Sequence, residues 1–350
     1  MRIVFDNIVF ALQRAGGISI VWQNILEGAL NSENVERTFF EYPNSNIFRK
    51  EIKIPENEII HDTLSFLNHK RYINPSCGDI KDNFIFHSSY YRTCTNPQAR
   101  NVTTVHDFTY DYFSHGIRKS VHCLQRNRAI MNSDAIVCIS NNTKKDLLKF
   151  LPEVDQKKIH VIYNGVSNDY KPLQEKNKHY NNHVMFLGAR VGYKNFKFAV
   201  EAIKQTSLNL LICGNDLNEE EKSFLDKTLG HERYEVKVRP SNEELNELYN
   251  SVFCLLYPSS YEGFGIPVLE AQRAGCPVIA LNVSSIPEII GDNTLLMKNL
   301  TLTDFENKIE ILRNQGNRNE IEEAGLENSK KYSWDKMRHE YLDLYNSLLH

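Results

Sequence analysis

Short apolar runs alternate with amphipathic stretches along almost the whole of this 350-residue chain. The apolar runs have the length of strands buried on both faces, whereas the stretches between them repeat apolar residues at helical spacing. Such alternation predicts parallel sheets with helices packed on both faces. A polar segment at 167–183 separates the pattern into two series. We therefore predict an α/β protein of two doubly wound, Rossmann-like domains that face each other across an interdomain cleft.

The two periodicities also predict where the elements lie. Helices are predicted at 18–30, 142–150, 196–203, 243–249 and 334–349. Strands are predicted at 3–5, 84–87, 102–106, 135–139 and 159–163 in the first series, and at 184–187, 208–213, 236–239, 252–257 and 277–281 in the second. Ligands bind at the carboxyl ends of parallel strands, so the residues that follow these strands are the candidates for function.

Composition and charge exclude several classes of protein. The net charge of −3 gives no basis for general binding of nucleic acid. No apolar run approaches the ~20 residues of a membrane span, and the N-terminus enters a predicted strand without a signal-peptide pattern. The seven cysteines are scattered and form no CxxC motif, which disfavours a zinc site or a disulfide framework. A cytoplasmic protein in a reducing compartment fits these features best.

The most informative motif is SSYEGFGIPVLEAQRAG at residues 259–275. It follows a predicted strand and enters a helix near Pro267. Gly263 and Gly265 would let the backbone approach a ligand at the N-terminus of this helix, where free N–H groups favour an anion. Glu262 and Glu270 could be ordinary surface acids, the paired acids of a glycosidase, or acceptors for the hydroxyls of a nucleotide sugar. The neighbouring anion site favours the nucleotide sugar.

A second motif, LGARVGYKNF at 187–196, follows the first strand of the second series. Arg190 and Lys194 could be solvated loop cations, or together they could bind a diphosphate. No D-x-D pair occurs in the chain, so the usual carboxylate ligands for a metal on a nucleotide diphosphate are missing. Arg190, Lys194 and helix N-termini would then neutralise the diphosphate, and no metal or other cofactor is expected.

The first half of the chain offers weaker candidates. Gly16 and Gly17 lie between the first strand and a helix, where they could form a tight turn or let a ligand approach closely. His106 and Asp107 follow a strand. His106 could be a structural histidine or could bind a sugar hydroxyl, and Asp107 could orient an acceptor or bear a proton. His87 is a similar but weaker case. The pattern GxGxxG is absent at both glycine-rich loops, which disfavours a nicotinamide enzyme.

A basic segment at 118–128 could contact a membrane. It contains Arg118, Lys119, Arg126 and Arg128 with apolar residues between them. The segment could be a solvated helix face, or it could bind anionic lipid or a lipid-phosphate acceptor.

Taken together, these motifs resemble those of a family-four retaining glycosyltransferase of the GT-B fold. The resemblance rests on E-G-F-G-x-x-x-x-E at 262–270, on G-x-R-x-x-x-K-N at 188–195, and on the segments at 16–18, 106–107, 133–140, 163–166 and 332–345. It implies an N-terminal acceptor domain over 1–168 and a C-terminal nucleotide-sugar donor domain over 180–332. It also implies that a final helix over 333–350 crosses back onto the first domain. Residues 40–80 match no part of the family pattern.

The resemblance also implies roles for the matching residues. Glu270 would hold the ribose hydroxyls, and Glu262 the hydroxyls of the donor sugar, with help from the backbone N–H groups of Phe264 and Gly265. Arg190 and Lys194 would bind the diphosphate and stabilise its leaving charge. In the first domain Gly17 would let its loop approach the donor, and His106 would contact the sugar. The loop that contains Arg239 would receive the nucleobase.

The resemblance is strongest to bacterial mannosyltransferases of surface polysaccharide synthesis. It implies a retaining, metal-independent hexosyltransferase, with GDP-mannose as the leading donor and a glycan or lipid-linked acceptor. UDP-sugar donors remain open, as do a glycogen- or sucrose-type synthase, a non-catalytic sugar-nucleotide-binding protein and a hydrolase. The expected location is the cytoplasm, with peripheral contact to the inner face of the membrane through 118–128.

Overall fold

The computed structural model describes residues 1–62, 71–78 and 80–350. The chain divides into two compact units. The first contains Met1–Gly165 and Trp334–His350, and the second contains Val166–Ser333.

The first unit is a parallel sheet with helices. Its strands are β1 (Arg2–Asp6), β2 (Glu36–Glu41), β3 (Ile59–His61), β4 (Phe84–Ser88), β5 (Ala99–Val105), β6 (Ala135–Cys138) and β7 (Ile159–Val161). Its helices are α1 (Val9–Leu12), α2 (Gly17–Leu30), α3 (Ile47–Glu51), α4 (Thr109–Phe113), α5 (Gly116–Met131), α6 (Asn141–Phe150) and, from the end of the chain, α14 (Trp334–Leu349).

The strand order of this sheet creates a crevice for a ligand. The order is β3-β2-β1-β4-β5-β6-β7, and all the pairs are parallel. The order reverses between β1 and β4, so the connections from these two strands leave in opposite directions and open a crevice at their carboxyl ends. We call this place the first switch point.

The final helix α14 packs on the first unit through buried polar contacts. The hydroxyl of Tyr345 lies 2.7 Å from Nδ1 of His87, and the hydroxyl of Tyr341 lies 2.9 Å from Oγ1 of Thr104. Thr104 also lies 3.0 Å from the other ring nitrogen of His87. Because buried polar groups need partners, these bonds fix the register of α14 on the sheet.

The second unit is a smaller parallel sheet with its own helices. Its strands are β8 (His183–Leu187), β9 (Asn209–Gly214), β10 (Tyr234–Val238), β11 (Cys254–Tyr257), β12 (Val278–Leu281) and β13 (Leu296–Met297). Its helices are α7 (Phe196–Lys204), α8 (Glu219–Thr228), α9 (Asn242–Ser251), α10 (Ile266–Arg273), α11 (Ile286–Ile290), α12 (Leu302–Arg313) and α13 (Gln315–Ser329).

The second sheet has the same topology as the first. Its order is β10-β9-β8-β11-β12-β13, again with parallel pairs, and it reverses between β8 and β11. We call this place the second switch point. The central strands are buried because their apolar side chains face helices on both sides, as in β11, where all four residues are buried.

The polar segment at 167–183, predicted to separate the domains, lies within the second unit. The side chains of Asn246 and Asn250 on α9 accept hydrogen bonds from the backbone N–H groups of Lys171 and Leu173 at 2.9 and 2.8 Å. The polar composition of this segment suggested a domain boundary. In the structure, polar side chains of α9 bind the backbone of the segment, which belongs to the second unit.

The strands and helices predicted from periodicity are confirmed, with differences of up to three residues at their ends. Three strands were missed, β2, β3 and β13. Strand β2 has the sequence ERTFFE, whose polar residues hide the apolar pattern, and the other two have three residues and two residues. Strands this short carry too few residues for a period of two to be visible.

Two further features concern cysteine and the membrane. The structure joins Cys77 and Cys94 in a disulfide with a Cα–Cα distance of 6.5 Å, which the scattered spacing did not predict. The other five cysteines are free. Over the described ranges, each helix is too short or too polar to cross a bilayer.

Candidate functional site

The loops that follow β8 and β11 are bonded to each other at the second switch point. The backbone N–H of Ser260 donates to the carbonyl oxygen of Tyr193 at 2.8 Å. The side-chain amide of Asn195 donates to the carbonyl oxygen of Pro258 and to Oγ of Ser260, both at 2.7 Å. Asn195 has a left-handed φ of 54°, which asparagine tolerates better than most residues. These bonds hold the two predicted motifs together as one site.

Lys194 and Glu262 meet between these loops. The ammonium of Lys194 donates to Oε1 of Glu262 at 2.5 Å, and both side chains keep some access to water, with 17% and 12% of their surfaces exposed. The ring of Tyr257, the last residue of β11, lies 5.4 Å from the same ammonium. The structure therefore places a cation and a carboxylate side by side at the carboxyl end of β11, within reach of a ligand in the crevice.

Two serines after β12 hold the loop that carries Glu262. The backbone N–H of Glu262 donates to Oγ of Ser284 at 2.9 Å. The hydroxyl of Ser285 lies 3.0 Å from the carbonyl oxygen of Glu262 and 2.7 Å from that of Phe264. Sequence reasoning missed these residues, because serine in a loop carries no signal until the fold brings it to its partner. Their hydrogen bonds hold the backbone of the loop that carries Glu262.

Gly265 has a structural reason to be glycine. It has a φ of 111°, which side chains rarely adopt, and a Cβ there would lie 2.9 Å from Cδ1 of Ile286. It is the N-cap of α10, and Pro267 follows in the first turn. The turn into α10 is by itself sufficient to require glycine at position 265, and the close approach of a ligand predicted for this motif stays a prediction.

Glu270 lies on α10 with its carboxyl group among tyrosines. The hydroxyl of Tyr249 donates to Oε2 of Glu270 at 3.1 Å. Burial raises the pKa of Glu270 to about 7, although the hydrogen bonds from Tyr249 and Tyr170 oppose this shift. The carboxyl group is therefore held where it can change its charge near neutral pH, a feature that is common at functional sites.

Arg190 is engaged with the loop after β9. Its guanidinium forms a two-point ion pair with Glu221 at 2.8 Å and donates to the carbonyl oxygens of Asn215 and Asp216 at 2.9 and 2.6 Å. Among the described residues these bonds occupy four of its five N–H groups. The hydrogen bonds from Arg190 also lower the pKa of Glu221. To bind a diphosphate with both arms of the fork, Arg190 would have to release at least one partner.

Arg239 lies directly after β10, on the same edge of the sheet. Its φ is 50°, and its backbone N–H donates to the carbonyl oxygen of Gly214 at 2.8 Å. Its Nε donates to Oδ1 of Asn215 at 3.0 Å, and the side chain is exposed. Asn215 thus contacts both Arg190 and Arg239, so the loop after β9 connects the two arginines.

In the first unit Gly17 is the first residue of α2, and it follows Gly16 at the N-cap. Apart from the neighbouring residues in the chain and the backbone of α2 itself, no atom of the described residues lies within 4 Å of a Cβ built at Gly17. Packing among the described residues therefore does not require glycine at this position, and the close approach of a donor at Gly17 stays a prediction.

His106 and Asp107 follow β5. His106 is partly buried, and this burial lowers its pKa to about 4, so the imidazole is neutral at physiological pH. A neutral imidazole can both donate to and accept from a sugar hydroxyl. The carboxylate of Asp107 accepts a hydrogen bond from the backbone N–H of Thr109 at 2.8 Å, at the start of α4. At least one oxygen of Asp107 therefore serves the local turn.

His87 is a structural residue, which corrects its interpretation as a weak functional candidate. It lies within β4, is fully buried, and binds Tyr345 and Thr104 through its two ring nitrogens. Burial lowers its pKa to about 3, so it stays neutral. Because His87 follows apolar residues, it was predicted to end the strand, but β4 continues through Ser88.

The basic segment at 118–128 also differs from its prediction. Arg126 is 1% exposed, forms an ion pair with Asp111, and lies over the ring of Phe108 at 4.3 Å. Lys119 donates to the carbonyl oxygen of Asp111 at 2.6 Å. Of the four predicted lipid-facing cations, only Arg118 and Arg128 are exposed.

Within the described parts of the chain, one group of side chains has the spacing of metal ligands: His179, His183 and Glu235. Glu235 forms an ion pair with His179 and lies 3.5 Å from Nε2 of His183. His183 and Glu235 lie at the amino-terminal ends of β8 and β10, opposite to the switch point. This cluster therefore has no place in the donor site.

Comparison with solved structures establishes the class of fold. The crystal structure of Anabaena HepE in complex with UDP and glucose matches with a TM-score of 0.75 at 13% sequence identity, over 99% of this chain and 100% of that one. The predicted fold class is thereby confirmed: two Rossmann-like, parallel-sheet domains of the GT-B glycosyltransferase type.

Sequence comparison then identifies the family. Residues 145–328 match the family described as Glycosyl transferases group 1, and residues 81–170 match Glycosyltransferase Family 4. Since the first match covers more than half of the chain, the chain belongs to the glycosyl transferases group 1 family. The resemblance stated from the motifs is confirmed.

Two relatives show how far the similarity extends. An uncharacterized glycosyltransferase of Methanocaldococcus jannaschii is 33% identical over 213 residues, which are 59% of this chain and 58% of that protein. O-antigen chain mannosyltransferase B of Escherichia coli is 24% identical over 303 residues, 81% of this chain and 79% of that protein. The matched part thus spans little more than half of the archaeal relative and about four fifths of the bacterial one.

Proposed function

We propose that this protein transfers mannose from GDP-mannose to a glycan or lipid-linked acceptor in the synthesis of a bacterial surface polysaccharide. The transfer retains the anomeric configuration and needs no metal. The observation that carries the proposal is the second switch point, where Lys194 and Glu262 lie side by side and Glu270 follows on the next helix. The name of the Escherichia coli relative supports the choice of mannose.

Each charged group at this site has a distinct task. The ammonium of Lys194 neutralises the charge that grows on the diphosphate as it leaves, which stabilises the transition state more than the ground state. The carboxylate of Glu262 accepts hydrogen bonds from hydroxyls of the donor sugar, and Glu270 accepts them from the ribose. Without a donor, Lys194 and Glu262 bond to each other, so neither charge is left unpaired at the edge of the sheet.

Retention is proposed to follow from attack on the face that the diphosphate leaves. The bond between the anomeric carbon and the phosphate oxygen breaks, and the acceptor oxygen bonds to the same face of the oxocarbenium-like sugar. The acceptor proton passes to an oxygen of the departing diphosphate. Asp107 orients the acceptor hydroxyl, and the neutral imidazole of His106 binds a hydroxyl of the donor sugar.

Arg190 and Arg239 serve the nucleotide part of the donor. Arg190 helps to bind the diphosphate after it releases one carbonyl partner. Arg239, connected to Arg190 through Asn215, contacts the base. Gly17 lets the N-terminus of α2 approach the donor. We propose that the enzyme works on the cytoplasmic side of the membrane.

Thermal shift in EDTA tests the donor. GDP and GDP-mannose at 100 times their dissociation constants are expected to add about 2.7 kcal/mol of stability to the folded protein. UDP and UDP-glucose at the same concentrations should add much less, because their dissociation constants are expected to be higher. Lys194→Met should reduce the shift with GDP, whose free diphosphate carries the charge that Lys194 neutralises, more than the shift with GDP-mannose. A shift with UDP alone would replace GDP-mannose by a UDP-sugar, as the ligand of HepE suggests. Binding that requires Mn²⁺ or Mg²⁺ would contradict metal-independent transfer.

Product analysis tests the reaction. NMR of the new linkage is expected to show the same anomeric configuration as the donor. An inverted configuration would contradict retention. Nucleotide binding without transfer to any acceptor would favour a non-catalytic binding protein, and release of free mannose at the rate of transfer would favour a hydrolase.

A further inference from the structure

Helix α5 (Gly116–Met131) exposes apolar side chains and buries charged ones. On its inner face Arg126 is buried against Asp111 and Phe108. On its outer face Ile117 and Leu124 are 83% and 71% exposed. A helix that packs on a core in water has the opposite arrangement. Local packing explains Arg126, but it gives no reason for Ile117 and Leu124.

The exposed apolar residues form one continuous stripe. Ile117, Val121, Leu124 and Met131 recur at helical spacing, and all four are exposed. We call these four residues the apolar stripe. Beside it, Val121 and Leu124 line a cavity of about 220 Å³ together with Tyr72, so the apolar surface extends beyond the helix.

Neighbouring residues give this surface the character of an interface with lipid. Tyr110 and Phe113 on the preceding helix α4 are also exposed, and aromatic side chains are favoured at the boundary between lipid and water. Arg128 lies four residues after Leu124 on the same face, and Arg118 lies at the N-terminal end of the helix; both are exposed. These cations complement the negative headgroups of a membrane.

We propose that the apolar stripe is the surface through which this protein binds an anionic membrane. The stripe enters the boundary between headgroups and acyl chains, while Arg118 and Arg128 pair with lipid phosphates. This differs from the prediction from sequence, in which four cations made the contact, because Lys119 and Arg126 are bonded to Asp111. The proposal does not depend on the identity of the donor.

The test uses the full chain and vesicles of phosphatidylcholine with and without phosphatidylglycerol. The double variant Ile117→Ser, Leu124→Ser should lower the partition coefficient on mixed vesicles at least tenfold, since each side chain loses apolar area that lipid would bury. Arg118→Gln with Arg128→Gln should lower it about fivefold per charge at low salt, and less at high salt. Unchanged partitioning of the serine variant would overturn the proposal.

Matched control variants show whether a change in vesicle binding is specific to the apolar stripe and its cations or follows from any substitution on the surface. Ile47→Ser removes an exposed isoleucine elsewhere in the first unit, and Lys145→Gln with Lys157→Gln removes two exposed cations outside α5. These variants should partition like the wild type. The thermal shift with GDP should be the same in every variant, so a failure of membrane binding can be told from a failure of the proposed donor.

The main alternative occupant is a second copy of the chain. Sedimentation velocity without vesicles is expected to show the same oligomeric state for the wild type and the serine variant. A dimer that Ile117→Ser and Leu124→Ser dissociate would assign the apolar stripe to self-association and overturn the membrane proposal.

Discussion

The two switch points share a topology but hold different kinds of ion pair. At the first, Arg92 after β4 binds Asp6 at the end of β1, and both side chains are buried. At the second, Lys194 after β8 binds Glu262 after β11, and both side chains still reach water. The ion pair at the first switch point is buried, whereas the ion pair at the second keeps some access to water.

The partners of the two ion pairs explain this difference. Asp6 also accepts a hydrogen bond from the hydroxyl of Ser88 at 2.6 Å, and Arg92 donates to the hydroxyl of Tyr42. The first ion pair is thus part of a buried network whose members are bound to each other. Lys194 is held by Glu262 alone among ion-pair partners in the described residues, beside the ring of Tyr257. A bound ligand can replace Glu262 as the partner of Lys194. Asp6 cannot be replaced as the partner of Arg92 in this way, because both side chains are buried in a network.

The largest expected effect is on the free energy of unfolding, which should fall much more when the first ion pair is broken than when the second is. Arg92→Met leaves Asp6 buried without its partner and should lower the free energy of unfolding by about 3–5 kcal/mol. Lys194→Met should lower it by only about 1 kcal/mol, because water reaches the remaining carboxylate. Urea denaturation of both variants measures the difference. Equal losses would mean that the two switch points are built in the same way.

The next largest effect is expected on kcat, which should respond differently to changes in the two ion pairs. Lys194→Met removes the ammonium proposed to stabilise the leaving diphosphate, and it should lower kcat about 100-fold or more. Arg92→Met should keep kcat within a few-fold at a temperature where circular dichroism shows it folded. If Lys194→Met keeps wild-type kcat and raises only the donor KM, Lys194 binds the donor without assisting the chemistry.

The sequence predicted the second switch point much better than its surroundings. Glu262 and Lys194 lie after strands whose apolar runs are unmistakable, so the rule that ligands bind at carboxyl strand ends was enough to pair them. Ser284 and Ser285 could not be predicted, because their partners are backbone atoms that only the folded loop presents. The burial of Arg126 was missed for a similar reason: its partner, Asp111, is 15 residues away on another helix.

The fold was predictable wherever strands were long and apolar. The prediction missed β2, whose sequence is partly polar, and the short strands β3 and β13. The disulfide between Cys77 and Cys94 was missed because two cysteines 17 residues apart carry no spacing signal. Long-range contacts of this kind depend on how the loops return to the sheet, which periodicity does not report.

A pH-dependent effect is expected at Glu270. Its pKa is about 7 in the folded protein and about 4.5 in the unfolded chain, so the folded state keeps a proton that the unfolded state has lost between these values. Ionisation of Glu270 therefore lowers stability as the pH rises from about 4.5 to about 7, by at most about 3 kcal/mol. Glu270→Gln should remove this cost, so its stability relative to the wild type should rise between pH 5 and pH 8.

Urea denaturation at the two pH values measures this change, and donor kinetics supply the functional half. Because Glu270 is proposed to bind ribose hydroxyls away from the reacting bond, Glu270→Gln should raise the donor KM and leave kcat nearly unchanged. A loss of kcat at constant KM would instead make Glu270 a catalytic acid or base. A stability difference that does not change with pH would show that its carboxyl group ionises normally.

The smallest change tests whether the first unit takes part in donor binding at all. Gly17→Ala adds one methyl group at the start of α2, where no described residue outside the adjoining backbone comes within 4 Å. Alanine is the better helix former, so stability should stay equal or rise by less than about 1 kcal/mol. If the donor approaches the N-terminus of α2 closely, the methyl group meets the donor and KM rises severalfold.

Gly28→Ala is the matched contrast. Its Cβ would lie 3.0 Å from Cβ of Arg338 on α14, so the substitution should lower stability without changing KM. If Gly17→Ala keeps both the stability and the donor KM of the wild type, the donor is bound at the second switch point without the N-terminus of α2. Glycine at position 17 then has no function in the transfer.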